Sequence, residues 1–161
     1  MIGLRESMDI RLTEEMAGEE IIRRLNTALP LDIHVFDVTE PVMKAKDVAW
    51  ASYEIVYRPE NCTPQEALAK LQELLSREEI LVSKHTKKGP KEFDIRPYFQ
   101  DFSLTLAEDG SLRGEHRLPI SLNGGVNPGL LKDAAARHLG LDLYERITRT
   151  NLYNEKLEPF C

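Results

Sequence analysis

Apolar and polar residues repeat along this chain with two different periods, and the order of those periods predicts its architecture. Met8, Ile10 and Leu12 alternate with Asp9 and Arg11, a strand pattern over 8–12. Over 17–28 the period lengthens. Ile21, Ile22, Leu25 and Leu29 form one stripe, Glu19, Glu20, Arg23 and Arg24 face the other way, and Pro30 ends the helix. Alternation returns over 32–38, where Ile33 and Val35 oppose His34 and Phe36. A crossover of this length favours parallel strands in one sheet. Residues 1–50 therefore read as a partial strand–helix–strand unit that must pack on the rest of the chain or be completed by something outside it.

A second set of elements fills 51–161. Tyr53, Ile55 and Tyr57 alternate as a strand. Thr63-Pro64-Gln65-Glu66 is a helix start, with Thr63 as cap, Pro64 at the first helical position and Glu66 closing a capping box. Ala67, Leu68, Leu71, Leu74 and Leu75 give that helix its buried stripe to about Ser76. A strand from Ile80 enters a turn at Lys87-Lys88-Gly89-Pro90, and Lys91 to Ile95 returns antiparallel. A short helical turn is expected over 97–101, then a strand through Phe102, Leu104 and Leu106, a turn at Asp109-Gly110 and a strand over 111–121. Asn127-Pro128 caps a third helix that Gly140 stops. A last strand covers 143–153, with Tyr144, Arg146, Thr148 and Thr150 on one face, and 154–161 reads as a loose tail. The order strand, helix, hairpin strands, helix, strand is α+β: a ferredoxin-like split βαβ module with extra strands, beside the partial N-terminal module.

Composition narrows the function classes. The net charge is -6, which argues against a general duplex-DNA binder but leaves room for a local basic footprint. No apolar run spans a membrane and no apolar leader follows Met1, so the cytoplasm is the expected compartment. The cysteines are Cys62 and Cys161, with no Cys-x-x-Cys, and the four histidines are scattered. Neither a metal nor a cofactor is expected.

Positive charge concentrates in Thr86–Pro97, where Lys87, Lys88, Lys91 and Arg96 interleave with Glu92 and Asp94. The lysines are placed to contact successive phosphates, or they form an ordinary solvated turn. Asp94 and Arg96 share a strand face at i and i+2. They either orient an anionic substrate or brace the turn at Pro97. Arg146 and Arg149, on opposite faces of the last strand, are further anion-binding candidates, with a buried stem the alternative for Arg149. The site reading strengthens if these residues converge in space and weakens if they sit on opposite faces. Gly124-Gly125 before the third helix reads as a turn and cap rather than a nucleotide fingerprint. Tyr53, Tyr57 and Phe93 could stack a base, although aromatics at strand spacing usually face a core.

Thr86-Lys87-Lys88-Gly89 with Lys91, Asp94-Ile95-Arg96-Pro97, and Arg146-Ile147-Thr148-Arg149-Thr150 with Leu152-Tyr153 resemble the radical-SAM-linked family of bacterial proteins, classed as domain of unknown function 2344. The resemblance extends over nearly the whole chain. It implies an accessory role beside a radical-SAM protein, near RNA or translation, and names no reaction. The chain lacks the Cys-x-x-x-Cys-x-x-Cys cluster site and is not that enzyme itself. Family members carry a further N-terminal leader, so the chain is expected to be a shortened member with apolar surface uncovered. Three functions follow as expectations: an accessory or adaptor domain that binds RNA or a ribosome-related partner, part of an enzyme acting on a nucleotide or RNA, or a purely structural protein–protein interaction domain. A homodimer would cover the same surface.

Overall fold

Two helices lie across one face of a mixed sheet, and a separate β-hairpin packs beside them. The computed structural model describes residues 1–86, 89–120 and 125–160. In chain order the elements are β1 (Ile2–Gly3), α1 (Gly18–Ala28), β2 (Trp50–Pro59), α2 (Pro64–Ser76), β3 (Leu81–Thr86), β4 (Gly89–Asp94), β5 (Thr105–Leu106), β6 (Leu112–Pro119), α3 (Leu130–Leu139) and β7 (Leu143–Tyr153). The main sheet has the order β1-β7-β2-β6-β5. Every pair within β7-β2-β6-β5 is antiparallel, and β1 joins β7 in parallel. The path β2-α2-β5 spans β6, and β6-α3-β7 spans β2. This is the expected ferredoxin-like split βαβ arrangement. The hairpin β3–β4 is an insertion between α2 and β5 and forms its own two-stranded sheet.

Local chemistry explains these elements. The Thr63 hydroxyl accepts from Glu66 N, and the Glu66 carboxylate accepts from Thr63 N, so the capping box read from the sequence is formed. Asn127 Oδ1 accepts from Gly129 N ahead of α3, and Gly140 closes that helix at φ 62°, a conformation in which glycine carries no Cβ penalty. The core lies between the sheet and α2 and α3. Ile55, Tyr57, Leu71, Leu74, Leu131 and Leu143 are at its centre, and Ile80, Val82 and Ile95 anchor the hairpin in it. Each of these side chains contributes about 1.5–3 kcal/mol by leaving water.

One part of this core is polar. Tyr57 and Glu145 are directly opposed on β2 and β7. The Tyr57 hydroxyl and Glu145 Oε2 are both buried and face each other, and neither makes a well-formed hydrogen bond among the described residues. Burial, and then the Glu145 charge, pushes the phenol well above its ordinary pKa, and burial pushes the Glu145 carboxyl up. Tyr57→Phe removes a buried hydroxyl that makes no well-formed bond, together with its contact to the Glu145 carboxyl, without opening a cavity. It is expected to raise the unfolding free energy by about 1 kcal/mol, read from urea denaturation. A loss of similar size would show that the hydroxyl is bonded in solution.

The N-terminal strands expected at 8–12 and 32–38 do not form. Those stretches run outside any ladder, and α1 stands between them. Alternation makes a strand only when a partner sheet takes its apolar face. Here Met8, Ile10 and Leu12 on one side and Ile33 and Phe36 on the other stay exposed. What ties 32–38 to α1 is Asn26, whose side chain donates to Val35 O and accepts from Val35 N. The tail differs in the other direction. Asn154 Oδ1 accepts from Lys156 N and Glu158 N, and Phe160 N donates to Leu152 O, so 154–160 folds back on β7.

Candidate functional site

The sequence candidates that fall among the described residues do not assemble into one site. Lys87 and Lys88 lie outside the described residues. Lys91 is exposed on β4, opposite Lys84, whose ammonium lies 5.2 Å from the centre of the Phe93 ring. The hairpin rests against α3: His138 Nε2 lies 2.7 Å from Leu81 O, and Arg137 pairs with Glu92. It therefore sits on the helix side of the sheet.

Asp94 and Arg96 are neighbours, but they do not share a strand face. β4 ends at Asp94, and a single 3-10 turn, Arg96–Tyr98, follows because Pro97 cannot extend a ladder. Asp94 Oδ1 accepts from both Ile80 N at 2.8 Å and Arg96 N at 2.9 Å. Arg96 Nε donates to Arg77 O, while its Nη1 is buried without a partner. These bonds hold the base of the hairpin. Phe93 stacks on Tyr98, and Tyr53 and Tyr57 are core residues, so none of the three is available to a base.

Arg149 and Arg146 point to opposite sides. Arg149 is opposite Tyr53 on the helix side and makes a bidentate ion pair with Glu6, which holds its guanidinium pKa above the ordinary value. Arg146 is exposed on the other side, opposite Val56.

That other side is an open face of the sheet, with Arg58, Arg113, Glu115, Arg117, Tyr144 and Arg146 exposed among the described residues. Strand register defines it row by row. Tyr144 is beside Arg58. Arg113 and Arg146 flank Val56, Glu115 and Thr148 flank Glu54, Arg117 and Asn151 flank Ser52, and Pro119 and Tyr153 flank Trp50. A β-bulge between Ser52 and Tyr53 skips Thr150, so Asn151 and Tyr153 rejoin the face of Arg146. Simple alternation from 143 had put Thr150 there instead. Val56 and Thr148 form a nearly solvent-free floor, with long side chains standing around them.

Electrostatics divide the arginines of this face. Asp109 pairs with both Arg58 and Arg113 at the β5–β6 turn. Arg117 and Arg146 have no carboxylate partner among the described residues. The Arg117 guanidinium instead lies 4.8 Å from the centre of the Tyr153 ring. The Ser52 hydroxyl donates to the Tyr153 hydroxyl, which lowers the phenol pKa, and Arg117 acts in the same direction. No three His, Cys, Asp or Glu side chains gather as a metal site among the described residues.

Residues 1–128 match the family described as "Uncharacterized protein conserved in bacteria (DUF2344)". The chain belongs to that family. The match includes the hairpin and its Asp94-Ile95-Arg96 base, whereas Arg146 to Tyr153 lie beyond it. No curated protein and no solved structure matches the chain.

This member of the DUF2344 family carries a second surface that charge patterning did not identify. Met8, Ile10, Leu12, Ile33, Phe36 and Val42 are all exposed, flanking α1. Beyond residue 43, the exposed large apolar side chains among the described residues are Leu106, Tyr144 and Leu157. The principal core draws on residues from Val48 to Phe160, so the N-terminal apolar side chains lie outside it. Of α1, only Ile21 is buried. No helix among the described residues is long and apolar enough to cross a membrane.

Proposed function

We propose that the chain is an accessory adaptor domain whose N-terminal surface docks on a protein partner, the radical-SAM protein that the family resemblance implies. The observation that carries the reading is the concentration of exposed apolar side chains in residues 1–42. Scattered single hydrophobics on a surface need no explanation, but a set concentrated in one segment favours an interaction site. The amphipathic helix α1 lies between the exposed segments with Glu20 binding Arg23 and Arg24 on its polar face, while its own apolar stripe, Ile21, Ile22 and Leu25, is buried or half-buried beneath them. The reading assigns no reaction. The enzymatic alternative relies on Asp94 and Arg96 lining one pocket; Asp94 accepts from Ile80 N and Arg96 N, and Arg96 Nε donates to Arg77 O at the end of α2, which supports the bracing role.

The test mixes the purified chain with the purified radical-SAM protein and follows complex formation by calorimetry and size-exclusion chromatography. A stoichiometric complex is expected. Phe36→Glu and Ile33→Glu, each at an exposed position, are expected to weaken it about 30-fold, the usual effect at the centre of an interface. Absence of a complex, or affinity indifferent to both substitutions, would overturn the reading. Self-association abolished by the same substitutions would replace it with a homodimer.

A further inference from the structure

We infer that the open face of the sheet binds single-stranded RNA, with bases stacked on Tyr144 and Tyr153 and phosphates held by Arg117 and Arg146. The inference goes beyond the adaptor reading and uses a different surface, so it stands or falls independently of it.

Three properties of the face point to this ligand. The first is shape. From the Arg58 row to the Trp50 row the face is about 27 Å long, and Arg113 and Arg146 are about 10 Å apart across three strands. An elongated floor with aromatic side chains at both ends suits an extended strand whose bases are unstacked, not a rigid duplex. The second is charge. Arg117 and Arg146 carry no carboxylate partner among the described residues, although the chain as a whole is acidic. Guanidinium groups without a carboxylate partner are available to phosphate. The third is the hydroxyl and amide chemistry of Ser52 and Asn151 in one row, both half-buried, which can meet a ribose 2′-hydroxyl.

Glu54 and Glu115 refine the ligand further. They are directly opposed on β2 and β6, in the row between the two free arginines. Like charges in that position destabilise a sheet. Neither carboxylate has a hydrogen-bond or ion-pair partner among the described residues, so both acceptors are unused. A phosphate would be repelled there, whereas an exocyclic base amine would be bound, as carboxylates accept from cytosine N4. Uracil has no such amine. The face therefore takes amino-bearing bases in its middle row and discriminates against uridine.

The experiment is fluorescence anisotropy at low salt, with labelled oligocytidine and oligouridine RNA of about a dozen nucleotides. Oligodeoxycytidine and an RNA duplex serve as comparisons. Oligocytidine is expected to bind at least about 5-fold tighter than oligouridine and than the duplex. Deoxycytidine should be weaker than its ribo counterpart. Arg117→Ala and Arg146→Ala should each lower affinity and reduce the slope of log affinity on log salt by about 0.7. Tyr153→Ala should cost about 5-fold or more. Lys91→Ala, on the helix side, should change nothing. Glu115→Gln should strengthen binding overall, a gain that no misfolded variant would give, and narrow the cytidine preference, because its amide still accepts from cytosine N4 but can also donate to uracil O4. Absence of binding, duplex bound as well as single strand, or affinity indifferent to Arg117, Arg146 and Tyr153 would overturn the proposal. Equal binding of the deoxy oligomer would overturn the RNA assignment.

Discussion

Gly114→Val is expected to lower the unfolding free energy by about 3 kcal/mol, the upper part of the range for forcing atoms into a filled core. Gly114 lies on β6, opposite Ile55, and its position faces the helix side of the sheet. A Cβ there would lie 2.5 Å from Ser103 O and 2.6 Å from the Phe102 ring. The first contact is with backbone. The second is with a ring fixed on two sides, because Phe102 packs edge-on against Phe99 and tilted against His116. His116 is itself stacked on Phe99, with its Nε2 2.6 Å from Tyr98 O. Neither neighbour can retreat without disturbing that cluster and the segment that leads from the hairpin to β5. Gly114→Ala should already cost about 2 kcal/mol. The check is the urea midpoint at constant slope. A valine variant within 0.5 kcal/mol of the parent, about the scatter of surface substitutions, would show that the Ser103 segment moves freely.

The same cluster gives a pH dependence in a defined direction. Burial depresses the His116 pKa below its ordinary value, outweighing the opposing effects of Tyr98 O and Asp101. The unfolded chain then binds more protons than the folded one just below the ordinary histidine range. Stability that is fully present above that range is lost as pH falls through it.

Why some of this fold could be read from the sequence and some could not follows from the range of the interactions. The capping box at Thr63 and Glu66, the stop at Gly140 and the turn at Gly110 depend on residues within a few positions of each other, and they form as expected. The alternation of Tyr53, Ile55 and Tyr57 is met by a core because α2 and α3 lie over that face. The equally regular alternation of Met8, Ile10 and Leu12 meets no partner, and the segment stays irregular. Periodicity reports which residues can share a face, not whether anything covers it. The candidate site shows the same limit. The charges of Thr86–Pro97 were visible, but not that an insertion puts the hairpin on the helix side while Arg146 faces away. Nor could a one-residue bulge at Thr150, which decides the facing of Tyr153, be read from spacing.

Asp94→Ala is expected to cost about 3 kcal/mol, with Asp94→Asn recovering most of the loss. One carboxylate oxygen, Oδ1, receives the N–H groups of Ile80 and Arg96, and Ile95 N donates in turn to Ile80 O. Together these bonds close the hairpin where β3 begins and β4 ends. Alanine removes an ionised acceptor and leaves two part-buried donors unpartnered, each worth about 1.5 kcal/mol or more. Asparagine keeps one oxygen acceptor in the same place, so its loss should stay near 1 kcal/mol. Because Ile80, Val82 and Ile95 belong to the main core, the loss should appear in global unfolding and not only as fraying of the hairpin tip. Hydrogen exchange separates the two, since global loss accelerates the slowest amides of β2 as well as those of β3. The paired substitutions also separate a bracing role from a chemical one. A carboxylate that moved protons would be disabled by asparagine as fully as by alanine, whereas an acceptor that holds two backbone donors is largely restored by it.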